Sequence, residues 1–413
     1  MVEPALNSSV LAACSFVNLG EATRVSFMLT AESKGTFAEQ AAEILSGMRK
    51  VLDRLPEPVE VTSQTAFLRD ALDQPACEQI LSAHYGTRLP VTNYVLQPPC
   101  SGAALALEAW AIAGKKVKVD RLGPQSLAVH YDGTRLVYCA GIRSDIRSGA
   151  YAQTMEVLEK LRAALAQAGS GSEQIVRTWF YLGGITNMET GIERYRELNR
   201  ARTDFYRGIR FGGALADPNA SHGIYPASTG IGMNGTGLVA GCMTVQSSRP
   251  GARLLPLENP GQTPAYAYHP RHSPQSPKFA RAMALVLGHY TTTWVSGTAS
   301  IVSSESCHPA DIERQTEQTI DNIQRLIAPE NFSFHGLPGA GASLHDLAKI
   351  RVYLKRVEDF PKCKAICDRR FAAVPAIYAV ADICRPELLV EIEGVAFSRY
   401  SLPQSLSAPA GTA

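Results

Sequence analysis

Apolar and polar positions along the chain follow one order of predicted elements, and that order recurs three times. In the first copy, alternating positions predict a strand over residues 24–29, and apolar residues at helical spacing predict a helix that begins after Thr36. A second strand over residues 60–70, a helix around residues 77–85 and two closing strands within residues 89–113 complete the unit. Each unit is therefore predicted to be strand, helix, strand, helix and a closing hairpin.

The second and third copies repeat this order. In the second, a strand from residue 135 precedes a helix that Gly169 ends, and the pattern continues to a hairpin within residues 222–245. The third copy is predicted to have a strand at residues 291–300, a helix at 309–328, a strand at 349–357, a helix at 360–371 and a closing hairpin at 376–393.

The repeats predict three domains of one α/β (α+β) fold at residues 1–118, 119–250 and 291–401, of which the first is degenerate and the last carries the active site. A proline-rich segment, residues 251–290, lies between the last two and has no clear periodicity. Such a segment is interpreted as either a linker or a lid, and its aromatic and arginine side chains favour the lid. The small, polar residues 402–413 predict a disordered tail.

The last copy closes on CRPELLVEIE, residues 384–393, which places a thiol and two carboxylates in an otherwise apolar stretch. In the predicted hairpin, Cys384 pairs with Leu389 and lies diagonal to Glu391, about 7 Å away between Cα atoms. Carboxylates in so apolar a strand cost free energy unless they are paired or neutral. This segment is therefore the predicted site of the chemistry.

Composition narrows the function further. Forty basic and 38 acidic residues give a formal charge of +2, so neither a nucleic acid nor a membrane surface is an expected partner. The N-terminus has no basic region before an apolar core, and no apolar run is long enough to span a bilayer, so we expect a soluble cytoplasmic protein. The nine cysteines include no CxxC pair, which indicates neither a disulfide framework nor a zinc site.

The third copy resembles the Rid/YjgF family of reactive-intermediate deaminases at these residues: Ser296, Gly297, Val374, Pro375, Ala376, Ile377, Glu391, Ile392, Glu393 and Gly394. That family has a small chorismate-mutase-like fold and forms trimers with clefts between subunits, so the resemblance implies an intrachain pseudo-trimer. The arginine with which the deaminases hold a keto acid or imino acid falls on Ile377 in the third copy and on Ser228 in the second. This departure argues against deaminase chemistry.

The resemblance is closer to the chorismatases, and it is carried by residues 222–232, 268–282, 295–323 and 382–397. Because that family hydrolyses chorismate, the resemblance implies an enzyme without a cofactor that releases pyruvate. Members that form 3-hydroxybenzoate have a cysteine at the position of Cys384 and a glycine at that of Gly297, whereas members that stop at the cyclohexadiene diol have alanine there. The resemblance thus implies 3-hydroxybenzoate as the product, with Cys384 as a nucleophile or as a residue that shapes the site near the ring.

Hydrolysis of the enolpyruvyl ether of chorismate requires a proton at its methylene carbon, which creates an oxocarbenium ion that water traps. Glu391 is the predicted donor, because burial raises the pKa of a carboxyl group. Glu393 has a counterpart in Glu108 of the first copy and is interpreted as structural. Val239 and Ala106 take the place of Glu391 in the other copies, so one working cleft out of three is predicted.

The predicted substrate-binding residues are Tyr268, Gly297, Arg281, Arg202 and Thr229. The two arginines are assigned to the two carboxylates of chorismate, since a guanidinium fork suits a carboxylate. Tyr268 is expected to hydrogen-bond a carboxylate or the ether oxygen, and Thr229 to form a wall of the cleft.

Three alternatives stay open at this point. A related chorismatase could form 4-hydroxybenzoate or a dihydroxycyclohexadiene carboxylate, a Rid-type enzyme could deaminate enamines or imines, and a non-enzymatic protein could bind a metabolite. The expected partner in each case is a small molecule. A pseudo-trimer satisfies its own interfaces, so the chain is expected to be a monomer or a weak homo-oligomer.

Overall fold

Three β-sheets, formed one after another along the chain, organise the fold. The computed structural model describes residues 13–32, 34–147, 149–216, 224–269 and 275–399. The tail predicted at residues 402–413 lies outside this part of the chain. No helix in the described ranges is long and apolar enough to cross a membrane.

The first sheet has five strands and packs against two helices. Its strands are β1 (Cys14–Asn18), β2 (Thr23–Thr30), β3 (Val59–Leu68), β4 (Val91–Val95) and β5 (Leu105–Ala113), in the spatial order β1-β2-β5-β3-β4. The helices are α1 (Phe37–Leu52) and α2 (Gln74–Tyr85). A capping box between Thr36 and Glu39 starts α1, whose Ile44 and Met48 are buried in one cluster with Phe27 of β2.

The second sheet has six strands. They are β6 (Lys118–Gly123), β7 (Ser126–Tyr131), β8 (Thr134–Arg143), β9 (Ile175–Gly183), β12 (Ala227–Met233) and β13 (Leu238–Ser247), in the order β12-β9-β13-β8-β7-β6. A separate small hairpin is formed by β10 (Met188–Glu189) and β11 (Ile192–Glu193). The helices are α3 (Ala150–Gln167) and α4 (Arg194–Tyr206). The predicted end of α3 is confirmed, since Gly169 follows it with a positive φ of 65°.

The third sheet also has six strands. They are β14 (Arg253–Leu257), β15 (Ala282–Leu287), β16 (Tyr290–Ala299), β19 (Leu347–Leu354), β20 (Ala376–Val380) and β21 (Val390–Arg399), in the order β14-β15-β16-β21-β19-β20. A small hairpin is formed by β17 (Ile301–Val302) and β18 (Glu305–Ser306). The helices are α5 (Ile312–Ile327), α6 (Pro329–Phe334) and α7 (Phe360–Phe371). The apolar face of α5 is buried in the core of this sheet.

The closing hairpin predicted for each copy is wrong. In the third sheet β19 lies between β20 and β21, and Arg351 of β19 pairs with Ile377 on one side and with Glu393 on the other. The first and second sheets have the same arrangement, with parallel outer strands β4 and β12. Cys384 therefore does not pair with Leu389 but lies in the connection that crosses β19. Alternation identifies strands, but it does not determine which strands become neighbours.

The segment of residues 251–290 contains regular structure that its composition does not indicate. The antiparallel strands β14 and β15 both lie within it and extend the third sheet. Pro256 is tolerated because β14 is an edge strand, where a missing N–H breaks no ladder. The sequence pattern also fails to predict β1, β6 and β7, which extend the other two sheets in the same way.

The second and third sheets meet along β12 and β16. Ser228 donates its backbone N–H to Ser296 Oγ at 2.9 Å, and Ala280 donates its N–H to the carbonyl of Pro226 at 3.1 Å. In β16 a bulge interrupts the pairing with β21, so that Ser296 and Gly297 stand at an irregular point of the ladder. Bulges of this kind re-aim side chains and are common beside active sites.

Candidate active site

A cavity of about 430 Å³ lies between the second and third sheets. The structure brings six of the seven predicted site residues to its lining: Glu391, Cys384, Tyr268, Gly297, Arg281 and Arg202. These residues come from β21, β16, α4, the segment before β15 and the connection before β21. The volume lies within the range of about 300–1,000 Å³ that small-molecule sites occupy.

Of the four glutamates that line this cavity, Glu391 is the buried one. Its side chain is 4% exposed, and it accepts no hydrogen bond from the described residues. Burial, reinforced by the nearby charge of Glu393, raises the pKa of Glu391 to about 8, although Arg177 and Arg281 act in the opposite direction. Glu391 is therefore protonated at neutral pH, as a proton donor must be.

Glu393, two residues further along β21, is surrounded by donors. It accepts hydrogen bonds from Arg177 at 2.5 Å and from Trp179 Nε1 at 3.2 Å, and it lies 3.0 Å from a guanidinium nitrogen of Arg351. Burial opposes its ionisation, but Arg351 and Arg177 outweigh that effect and hold the pKa of Glu393 at about 2. Glu393 is thus a buried, ionised carboxylate that ties β9 of the second sheet to β21 of the third.

Gly297 provides the space into which Glu391 extends. A Cβ atom at this position would lie 2.0 Å from Glu391 Oε1 and 3.2 Å from Thr229 Cγ2. The backbone of Gly297 does not have a positive φ, so the clash itself excludes a larger residue while Glu391 stays in place. A side chain at position 297 would therefore have to displace the carboxyl group of Glu391.

Cys384 lines the same cavity although it is not part of a hairpin. Burial, with a contribution from the carboxylate charge of Glu391, raises the pKa of the thiol to about 12. A thiol with this pKa is uncharged at neutral pH, and the thiolate is the nucleophilic form. The raised pKa of the thiol therefore favours the second of the two predicted roles, in which Cys384 shapes the site.

Four arginines line the cavity, and Arg202 of α4 and Arg281 are the two that are buried. Each guanidinium carbon lies close to the ring of Phe279, at 5.6 Å for Arg202 and 5.7 Å for Arg281. Neither forms an ion pair with a carboxylate in the described ranges, and the Nε of each lacks a hydrogen-bond acceptor there. Two buried cations with spare donors suit a ligand with two negative groups.

Tyr268 holds Arg281 in place. Its hydroxyl accepts a hydrogen bond from the guanidinium at 2.6 Å, and the carbonyl of Thr263 accepts a second at 3.1 Å. Arg385, which follows Cys384, has its guanidinium carbon 5.5 Å from the centre of the Tyr268 ring. The segment before β15 and the connection before β21 therefore meet over the cavity.

Thr229 is the predicted site residue that does not line the cavity. Its hydroxyl donates to Glu393 and accepts from Arg177 at 2.6 Å and from the Gly297 N–H at 3.0 Å. These contacts place Thr229 behind Gly297, where it fixes the bulge of β16. The structure thus places Thr229 behind the wall of the cleft that it was predicted to form.

Sequence reasoning missed Tyr195, Asn199 and Phe279, which also line the cavity. Asn199 accepts a hydrogen bond from Arg202 at 2.6 Å, and Ser228 accepts a second at 3.1 Å. The spacing of Tyr195, Asn199 and Arg202 along α4 places them on one helix face, and this polar stripe was a usable signal. No group of three or more metal-ligating side chains occurs in the described part of the chain.

Two family descriptions match successive parts of the chain. "Chorismatase FkbO/Hyg5-like, N-terminal" matches residues 108–244, and "Endoribonuclease L-PSP" matches residues 277–398. A 3-hydroxybenzoate synthase from Streptomyces hygroscopicus is 32% identical over 301 residues, which cover 70% of this chain and 80% of that relative. A chorismatase from the same organism is 32% identical over 260 residues, which cover 62% of this chain and 71% of the relative.

The fold has a counterpart among solved structures. A crystal structure of a chorismatase is similar with a TM-score of 0.62 at 21% sequence identity, covering 90% of this chain and 98% of that one. This likeness shows a shared mixed α/β fold, and the identity to the 3-hydroxybenzoate synthase extends over four-fifths of that relative. The chain therefore belongs to the chorismatase family.

Proposed function

We propose that the protein hydrolyses chorismate, releases pyruvate and forms 3-hydroxybenzoate. The observation that carries this proposal is the neutral carboxyl group of Glu391 in the same cavity as the unpaired cations Arg202 and Arg281. Chorismate has two carboxylates and an enol ether that must be protonated on carbon. The names of the relatives, a 3-hydroxybenzoate synthase and a chorismatase, support the same reaction.

The two arginines orient the substrate in this proposal. Each carboxylate of chorismate accepts hydrogen bonds from one guanidinium, which replaces the hydration that both groups lose on burial. Tyr268 keeps Arg281 aimed into the cavity, and Asn199 keeps Arg202 there. The substrate is thereby held with its enolpyruvyl group near Glu391.

The proton of Glu391 is transferred to the methylene carbon of the enolpyruvyl group. The resulting oxocarbenium ion lies beside a carboxylate that has just become negative, which stabilises it. Water adds to this carbon, and the tetrahedral adduct breaks its bond to the ring oxygen to release pyruvate. A proton from the water returns Glu391 to its neutral form.

Cys384 governs the fate of the ring in our proposal. An uncharged thiol beside the acid shapes the cavity around the diol, and loss of one water from the ring then gives the aromatic 3-hydroxybenzoate. Ile377 is buried in β20 where a Rid-type deaminase would need its arginine, so the deaminase alternative lacks its carboxylate anchor.

We also propose that the three sheets form an intrachain pseudo-trimer with one working cleft. Four strands in each sheet have the same order, which supports this arrangement. Glu391, Val239 and Ala106 stand opposite Tyr353, Tyr181 and Phe67 in their respective sheets. Because one chain supplies both walls of the cavity, a monomer suffices for activity. Our proposed repeats remain residues 1–118, 119–250 and 291–401. Between the last two, the described residues 251–269 and 275–290 form the connection that we propose covers the cleft.

The proposal is tested by incubating the purified protein with chorismate and measuring pyruvate with a coupled assay and the aromatic products by chromatography. We expect pyruvate and 3-hydroxybenzoate in equal amounts. Absence of pyruvate would contradict the proposal, and 4-hydroxybenzoate or the diol as the main product would restrict it to a related chorismatase.

The Cys384→Ala variant tests product selection separately from hydrolysis. We expect pyruvate to form at a rate within about tenfold of the wild type, since the acid is kept, while the product shifts from 3-hydroxybenzoate to the diol. Cys384→Ser is the matched control for side-chain volume. Unchanged products in both variants would remove Cys384 from the mechanism.

A further inference from the structure

Arg385 lines the cavity but has no part in the proposed reaction. It follows Cys384 in the connection before β21, and it is half-buried. Its Nη1 donates hydrogen bonds to the carbonyl of Ser304 at 3.0 Å and to Ser306 Oγ at 3.1 Å. Both acceptors belong to the small hairpin of β17 and β18, so the side chain of Arg385 ties the connection to that hairpin.

The same guanidinium contacts Tyr268. Its carbon lies 5.5 Å from the centre of the Tyr268 ring, a distance at which a cation and an aromatic ring attract each other. The hydroxyl of this ring accepts the hydrogen bond of 2.6 Å from Arg281. Tyr268 therefore contacts two arginines of the cavity, Arg385 through its ring and Arg281 through its hydroxyl.

The backbone near these contacts is anchored by groups other than Arg385. Gln315 of α5 donates a hydrogen bond to the carbonyl of Glu387 at 2.9 Å, which holds the connection to the core of the third sheet. The segment before β15 is held to the hairpin where Thr263 donates its N–H to the carbonyl of Ser303 at 2.9 Å. Loss of the Arg385 side chain should therefore leave the fold in place and act on the ring that it contacts.

We propose that Arg385 is a positioning residue for substrate binding, which keeps Arg281 aimed into the cavity by fixing the Tyr268 ring. This inference rests on the proposed function, in which Arg281 binds a carboxylate of chorismate. A binding group that holds the carboxylate equally in the ground state and in the transition state affects KM rather than kcat. Loss of Arg385 should therefore raise KM and leave kcat and the products nearly unchanged, because Glu391 and Cys384 keep their places.

Steady-state kinetics of the full-length protein with chorismate test this role. We expect Arg385→Ala to raise KM by roughly tenfold, with kcat within about twofold of the wild type. Arg385→Lys keeps a cation near the ring and should recover part of the loss. Arg196→Ala is the control for charge, since Arg196 lines the same cavity and pairs with Glu193 at 3.4 Å. It should raise KM less than Arg385→Ala does.

A double variant separates positioning from direct binding of the substrate. Tyr268→Leu removes the ring through which Arg385 acts, so adding Arg385→Ala to it should change KM by less than about twofold. Effects of the two substitutions that multiply would overturn the proposal. A shift of the products towards the diol in Arg385→Ala, or an equal rise of KM in Arg196→Ala, would overturn it as well.

Amide hydrogen exchange gives a readout that does not require turnover. The N–H of Tyr268 donates to the carbonyl of Ala265 at 3.3 Å, and this bond should open more often when the ring loses its contact with Arg385. We expect faster exchange at Tyr268 in Arg385→Ala and wild-type exchange in Arg196→Ala. Unchanged exchange in Arg385→Ala would overturn the inference, whereas absence of pyruvate from the wild type would contradict the proposed function.

Discussion

Glu391 and Glu393 lie two residues apart on one face of β21, and their surroundings place them in opposite protonation states at neutral pH. Both side chains are almost fully buried, with 4% and 2% exposure, so burial alone does not distinguish them. The difference comes from their partners, because Glu393 is contacted by Arg177 and Arg351, whereas Glu391 faces a cavity. A pair of similar groups whose pKa values are pushed apart is the arrangement that acid–base enzymes use.

The comparison also shows how each carboxylate supports the other. The negative charge of Glu393 helps to keep Glu391 neutral, and the two arginines that ionise Glu393 are engaged with it rather than with Glu391. In the first sheet, Glu108 is paired with Lys349 and Arg351 in the same manner as Glu393, and Ala106 takes the place of the acid. The ion-paired carboxylate thus occurs in the first sheet without the proposed proton donor.

The largest expected effect is that of Glu391→Gln, which removes the transferable proton and keeps the shape of the side chain. We expect kcat for pyruvate release to fall by about 10²–10⁴-fold, the usual contribution of a general acid, with the thermal midpoint unchanged or higher. Steady-state kinetics and thermal unfolding measure both. Glu330→Gln, at an exposed position of α6, is the control and should behave as wild type. Turnover close to normal in Glu391→Gln would assign the proton transfer to another group.

Glu393→Gln is expected to act on stability first. Removing one partner of a buried ion-pair network costs about 3–5 kcal/mol, since Arg177 and Arg351 lose their counter-charge. The pKa of Glu393 is lowered by folding, so its stabilisation is present above the unfolded value of about 4.3 and is lost as the pH falls towards 2. Denaturant unfolding at pH 7 and at pH 3 should therefore show a difference between variant and wild type that narrows in acid. A variant as stable as the wild type at pH 7 would remove the structural role.

The sequence alone predicts features of this site that depend on local patterns, but not those that depend on contacts between sheets. Glu391 and Glu393 were separable because they interrupt an apolar strand and because only one of them has a counterpart in the first copy. The partners of Glu393 were not predictable in this way, since Arg177 lies 216 positions away and is brought close by the packing of two sheets. Strand order failed for the same reason, because β19 enters between two strands that are adjacent in the sequence. Local patterns determine elements, whereas neighbours across sheets depend on the whole chain.

Gly297→Ala tests the comparison of Glu391 with Glu393 by moving the carboxyl group of Glu391 without changing its chemistry. The added Cβ would lie 2.0 Å from Glu391 Oε1, so the carboxyl group must rotate away from its position in the cavity. We expect kcat to fall by about tenfold and the diol to replace part of the 3-hydroxybenzoate, which product chromatography measures. Gly237→Ala is the control, because Gly237 does not have a positive φ and an added Cβ there would have only Met233 within 4 Å. Gly251→Ala would be unsuitable, since Gly251 has a positive φ. Wild-type products from Gly297→Ala would show that residue 297 does not control the acid.

The smallest expected effect is a change in the pH profile of kcat/KM, which reports groups of the free enzyme. Glu391 must be protonated to act and has a pKa of about 8, so the rate should be constant below this pH and fall about tenfold for each further unit above it. Loss of the Glu393 charge in Glu393→Gln removes an influence that raises the pKa of Glu391, and the alkaline limb should move to lower pH by roughly one unit. The thiol of Cys384, with a pKa of about 12, does not contribute to a limb in this range. A limb that stays at the same pH in Glu393→Gln would mean that burial alone sets the pKa of Glu391, and the two carboxylates would then act independently.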